Sequence, residues 1–139
     1  QLLKDTNRLT EAEPLMRHAL QIDEDSFGSQ HPNVARDLNN LAQLLQGTNR
    51  LAEAEPLMRR ALRIDEESFG EQHPNVARDL NNLARLLQAT NLMAEAEPLM
   101  RRALEICEQS LGPDHPSTQL TRRNLAFLLQ AIEAANQPP

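Results

Sequence analysis

Residues 31–42 read HPNVARDLNNLA, and residues 73–84 read HPNVARDLNNLA again, without one change. The His-Pro pair returns at His115-Pro116, so both intervals are 42 residues long. Beyond this block the likeness continues in register through LLQ, TN and AEAEPLMRRAL. Residues 1–30 follow 43–72 closely, and 115–139 follow only the front of the unit. A fixed period of this length signals a stacked-repeat architecture, because one unit cannot bury its apolar face alone. The expected organisation is a single repeat domain over 1–139. It comprises a partial repeat at 1–30, full repeats at 31–72 and 73–114, and a partial repeat with a capping helix at 115–139. The chain opens about a third of the way into a unit, so the natural N-terminus is expected to lie further upstream.

Each unit reads as two helices. Val34, Leu38, Leu41, Ala42 and Leu45 recur at helical spacing and make one apolar stripe. Pro32 suits the first helical position, where no N–H is needed. Asn49 is expected to close this helix in the left-handed conformation. The second stripe carries Leu51, Ala54, Leu57, Met58, Ala61 and Leu62, with Glu55 placed to pair with Arg59 one turn on. Pro14, Pro56 and Pro98 fall inside these second helices and predict a bend that belongs to the unit. The pattern predicts helices over roughly 9–26, 32–48, 51–68, 74–90, 93–110 and 116–134. Aromatic residues are only 2% of the chain, with no Trp and no Tyr, so the core must be Leu, Ala, Met, Ile and Val. These are mostly helix formers, and the fold class is all-α.

Small residues recur at Ala42, Ala54 and Ala61 and again at Ala84, Ala96 and Ala103, where a larger side chain would force helices apart. This mixture of Leu and fixed Ala resembles the tetratricopeptide repeat. The 42-residue step, with LNNLA, EAE…RRAL and the G…HP loop, resembles the kinesin light chain type in an array of bacterial style. The resemblance implies a right-handed superhelical stack of antiparallel helix pairs whose first helices line a concave groove. It also implies that Asn40, Asn82 and Asn124 match an asparagine that grips a ligand's backbone. Leu45 and Met58 stand where that family commonly carries aromatics.

Arg36, Asn40, Gln43 and Gly47 lie opposite the apolar stripe, followed in the next unit by Arg78, Asn82, Arg85 and Ala89. The last unit places Leu120, Asn124, Phe127 and Ala131 on the same line. An Asn amide offers a donor and an acceptor for main-chain groups, and arginine suits a carboxylate. The expected peptide-binding residues are therefore Arg36, Asn40, Gln43, Arg78, Asn82, Arg85, Asn124 and Phe127. The expected partner is a protein or extended peptide, acidic or ending in a free carboxylate. The plainer alternative is that these asparagines solvate the face or bond a neighbouring helix.

A net charge of −6 argues against a nucleic-acid partner. No apolar run approaches the ~18 residues of a membrane span. The single Cys107 fits a reducing, cytoplasmic setting. His31, His73 and His115 stand one per unit without companion ligands, which reads as loop structure rather than zinc. Glu11/Glu13, Glu53/Glu55 and Glu95/Glu97 are two apart on a helix and cannot converge on one substrate atom. Cys107 occupies the register of Asp23 and Asp65 and reads as a drifted position. No catalysis, metal or cofactor is expected.

Two other functions stay open at this point, a self-assembly module and a regulatory arm of a larger enzyme. For the former, Leu15, Met16 and Leu20 are expected to be partly bare and to favour a homodimer through the repeat ends. Arg122, where Leu38 and Leu80 stand in earlier units, suits a polar cap at the other end.

Overall fold

A computed structural model describes residues 2–138, with side chains from residue 8 onward. Among the described residues the chain is helical throughout, with no strand. The helices are α1 (Leu2–Phe27), α2 (Pro32–Gly47), α3 (Leu51–Phe69), α4 (Pro74–Ala89), α5 (Met93–Ser110) and α6 (Pro116–Asn136). Expected boundaries hold to within two residues except at α1, which begins at Leu2 rather than near residue 9. The chain divides into two compact units, Gln1–Ser68 and Phe69–Pro139.

The local sequence explains where the helices start and stop. His31, His73 and His115 are N-caps in extended backbone. The Nδ1 of each accepts the amide N–H two residues on, at 3.0 Å in all three helices. The following prolines bring no N–H that would need a partner. Histidine is not among the favoured capping residues, so this role was invisible from propensity. Phe27 and Phe69 stack on the capping rings of His31 and His73 with centroids 4.5 Å apart. The imidazoles that looked like loop elements are thus helix starters, and those of His31 and His73 are held in place by an aromatic ring.

At the other end, Asn49 and Asn91 adopt φ of 62° and 64°. The chain then turns back, with the Arg50 N–H donating to the Leu45 carbonyl and the Leu92 N–H to Leu87, both at 2.7 Å. Thr48 and Thr90 hydroxyls cover the last carbonyls of α2 and α4. Helices α3 and α5 run through Pro56 and Pro98, which lie in their second turn and are exposed.

In the first unit Val34, Ala35 and Leu38 of α2 pack on Ala61 and Ile64 of α3, with Leu20 and Leu57 against them. In the second unit α5 packs on both α4 and α6. Its buried side chains are Ala96, Met100, Ala103 and Ile106. The six recurrent alanines are fully buried, so close approach of the helices does depend on their size. On the surface one ion pair repeats in each second helix, Glu13–Arg17, Glu55–Arg59 and Glu97–Arg101, at 2.9–3.0 Å. Arg60 and Arg102 reach back to the carbonyls of Ser29 and Glu71 and tie the inter-repeat loop down.

The end positions differ from their internal counterparts. Leu15 is 72% and Ile22 49% exposed, whereas Ile64 and Ile106, in the register of Ile22, are 1% exposed. On α6, Arg122 is exposed and pairs with Glu108 at 3.4 Å, while Leu38 and Leu80 in the same register are fully buried.

Candidate functional site

The second unit contains a cavity of about 180 Å³ between α4 and α6. Arg78, Asn81, Asn82 and Arg85 reach it from α4, since positions 78, 81, 82 and 85 share one helical face. Leu120, Thr121 and Asn124 line it from α6, and Cys107 and Leu111 from α5 and its end. Four of the residues expected from sequence, Arg78, Asn82, Arg85 and Asn124, are therefore gathered around one hollow. Its volume suits a side chain or a carboxylate head group rather than the full length of a peptide.

Its polar wall is already organised. The Asn81 Nδ2 donates to the Thr121 Oγ1 at 2.7 Å, and the Thr121 hydroxyl donates to the Ser117 carbonyl at 2.8 Å. Among the described residues nothing donates to the buried Asn81 Oδ1, so an acceptor is left over for an incoming N–H or O–H. Cys107 Sγ lies 3.9 Å from the Thr121 Oγ1, and burial pushes the thiol above its ordinary range. A thiol held protonated is a poor nucleophile, which makes it lining rather than chemistry.

The two arginines differ. Arg78 is exposed but lies 3.6 Å from the fully buried carboxylate of Asp79. Arg85 is exposed and makes no ion pair among the described residues. Of the pair, Arg85 keeps more of its charge for a ligand. Asn81, Thr121 and Ser117 were not read as site residues from the sequence. The signal available was the i, i+4, i+7 spacing of Ser117, Thr121 and Asn124, which continues the line of the buried Leu125 and Leu128.

The remaining expected residues are placed differently. In the first unit Asn40 and Gln43 border a shallow hollow of about 250 Å³ with Leu9, Met16 and Leu44. Arg36 is not among its lining residues. Its guanidinium turns to Asp23 and Asp37 instead, at 3.7 and 3.8 Å. Phe127 is 60% exposed on α6 and does not line the cavity. Among the described residues no three His, Cys, Asp or Glu side chains converge as metal ligands. No helix among them is long and apolar enough to cross a membrane.

Comparison with known proteins follows the same lines. Models described as tetratricopeptide repeat match residues 1–67, 48–96 and 76–117. Among solved structures, one similar chain is a Podosopora anserina protein described as a kinesin light chain with nearly identical TPR-like repeats. It superposes with a TM-score of 0.84 at 26% identity, over 93% of this chain and 61% of that one. BtubC (BKLC) from P. vanneervenii gives 0.82 at 25% identity, over 93% of this chain and 51% of its own. The chain thus spans about half to three fifths of these relatives. No curated protein matches the sequence.

Proposed function

Since the chain belongs to the tetratricopeptide repeat family, we propose that it is a binding scaffold that holds an acidic segment of a partner protein against its first helices. Repeats of this family generally mediate protein–protein interaction and are typically non-enzymatic. The observation that carries the reading is the second-unit cavity, where Arg78, Arg85, Asn82 and Asn124 meet around an unused buried acceptor on Asn81. A carboxylate at Arg85 and Arg78 would gain charge-assisted bonds, and a neighbouring peptide group would use the Asn82 and Asn124 amides. Phe127 adds an apolar contact beside them. In the first unit Asn40 and Gln43 offer amides of the same kind above an apolar floor. The scaffold works in the cytoplasm and needs no cofactor.

The test is a selection from a library of random extended peptides against the intact chain, followed by affinity measurement of the winners. Acidic sequences should be enriched and should lose affinity as salt rises, because exposed charge contacts are screened beyond about 8 Å at physiological ionic strength. Enrichment of basic or purely apolar sequences would refute the assignment.

A second reading, self-association through α1, is favoured by the bare Leu15 and Ile22. Ile22 is exposed where Ile64 and Ile106 in its register are buried, and an apolar face of this kind invites cover. Sedimentation at rising concentration should then reveal a dimer that Ile22→Lys abolishes. A monomer at every concentration would dismiss it.

A further inference from the structure

We propose that Asp23 of α1 and Asp37 of α2 form a proton-sharing carboxyl pair that makes the packing of the first unit pH-sensitive and sets how firmly Arg36 is held on the face of α2. Both carboxyl groups are largely buried where α1 meets α2, and both face the same guanidinium, Asp23 at 3.7 Å and Asp37 at 3.8 Å from Arg36. Among the described residues nothing donates to the buried Asp37 Oδ2. Among the described residues the one cation in ion-pair contact with the two acids is Arg36, mostly exposed and 3.7–3.8 Å away, too loose to neutralise two carboxylates. Two such groups in one poorly solvated spot cannot both ionise cheaply, and the pair retains a proton.

The charged neighbours on the packed elements do not offset this. On α1, Glu24 is taken up by Arg60 at 3.4 Å and Asp25 by Gln21 at 3.0 Å. On α3, Arg60 is committed to Glu24 and the Ser29 carbonyl, and the buried Asp65 adds a further acid.

The sequence supplies its own comparison. Two units on, the register of Asp23 and Asp37 carries Cys107 and Thr121, a neutral pair in contact at 3.9 Å. Where Arg36 stands beside the acids, the last repeat has Leu120. The intervening register keeps Asp65, Asp79 and Arg78. The arginine accompanies the acids and disappears with them, as expected if it answers their charge.

The sign follows from the proton balance. Burial, then Asp23, pushes Asp37 up from 3.8 to about 6. The folded state therefore holds the proton more tightly than the unfolded chain. The stabilisation is fully present below the unfolded value of 3.8 and is lost as pH rises through about 6. Above that pH the ionised pair draws Arg36 inward, and below it the arginine is released to solvent.

Two measurements on the full chain test this. In a carboxyl-carbon NMR titration, one step of the Asp23–Asp37 pair should move up toward 6, and two ordinary steps near 3.8 would overturn the proposal. Amide exchange in α1 and α2, corrected for intrinsic rate, should lose about tenfold protection between pH 5 and 7.5. The double variant Asp23→Cys/Asp37→Thr, copied from the Cys107–Thr121 pair, should show no such loss. Equal protection of the native chain at both pH values, or the same loss in the variant, would also overturn it. Should the variant fail to fold, the titration of the native chain decides.

Discussion

Reversing the charge of the second-unit arginines, Arg78→Glu with Arg85→Glu, is expected to weaken binding of a selected acidic peptide by about a hundredfold or more. Each hydrogen bond to a charged group contributes roughly 1.5–3 kcal/mol, and reversal adds repulsion to its loss. The two contributions should be unequal. Arg78 lies beside the buried Asp79 at 3.6 Å, so part of its charge is answered within the protein. Arg85→Glu alone should therefore cost more than Arg78→Glu alone. Arg59→Glu and Arg101→Glu serve as controls, since both residues sit in exposed i,i+4 pairs on the second helices. Such pairs contribute at most about 1 kcal/mol, and their loss should leave affinity nearly unchanged. Isothermal titration of the five proteins decides the matter. Equal or larger losses at Arg59 or Arg101 would move the ligand to the other face.

Truncating Leu80 to Ala should lower the unfolding free energy by about 2–5 kcal/mol, read from the urea midpoint. Leu80 is fully buried on α4, and its removal takes away apolar contact and leaves a cavity whose walls relax only in part. The contrast with α6 sharpens the expectation. Arg122 occupies the same register there and stays exposed beside Glu108, so Arg122→Ala should change stability by well under about 1 kcal/mol. Comparable losses at the two positions would mean that Arg122 does not lie on the exposed face of α6.

Much of the architecture was legible before any coordinates. A 42-residue step, two apolar stripes per unit and the Thr-Asn pair were enough to place five helices nearly to the residue. The alanine positions could be read as close contacts because only a small side chain explains their recurrence among leucines. The site was legible in part. Helical spacing put Arg78, Asn82 and Arg85 on one face, and the same spacing on α6 added Asn124. It could not reveal that Asn81 and Thr121 bond across that face, nor that Arg36 turns toward Asp23. Those contacts join residues on different helices, and one-dimensional periodicity carries no information about them. Cys107 illustrates the point. Alone it looked like drift, and only its contact with Thr121, 14 residues on, exposes a paired replacement of two acids by two neutral groups. The capping histidines were missed because they work by an acceptor nitrogen that propensity scales seldom credit.

The Thr-Asn pair has a further meaning. At Thr48-Asn49 the backbone swings to positive φ and the chain doubles back, while the same two letters at residues 6–7 lie within the unbroken helix α1. A left-handed residue costs roughly 1–2 kcal/mol for most side chains, a cost that Asn lowers but does not abolish. The letters permit a reversal without commanding one, and in α2–α3 it is the docking of Ile64 and Ala61 on Val34 and Leu38 that outweighs the cost. The spelling of this chain is thus conditional, with one phrase yielding a rod or a hairpin according to its neighbours. Anyone excising or transplanting units should place the cut just before a His-Pro step, so that both helices of a hairpin travel together.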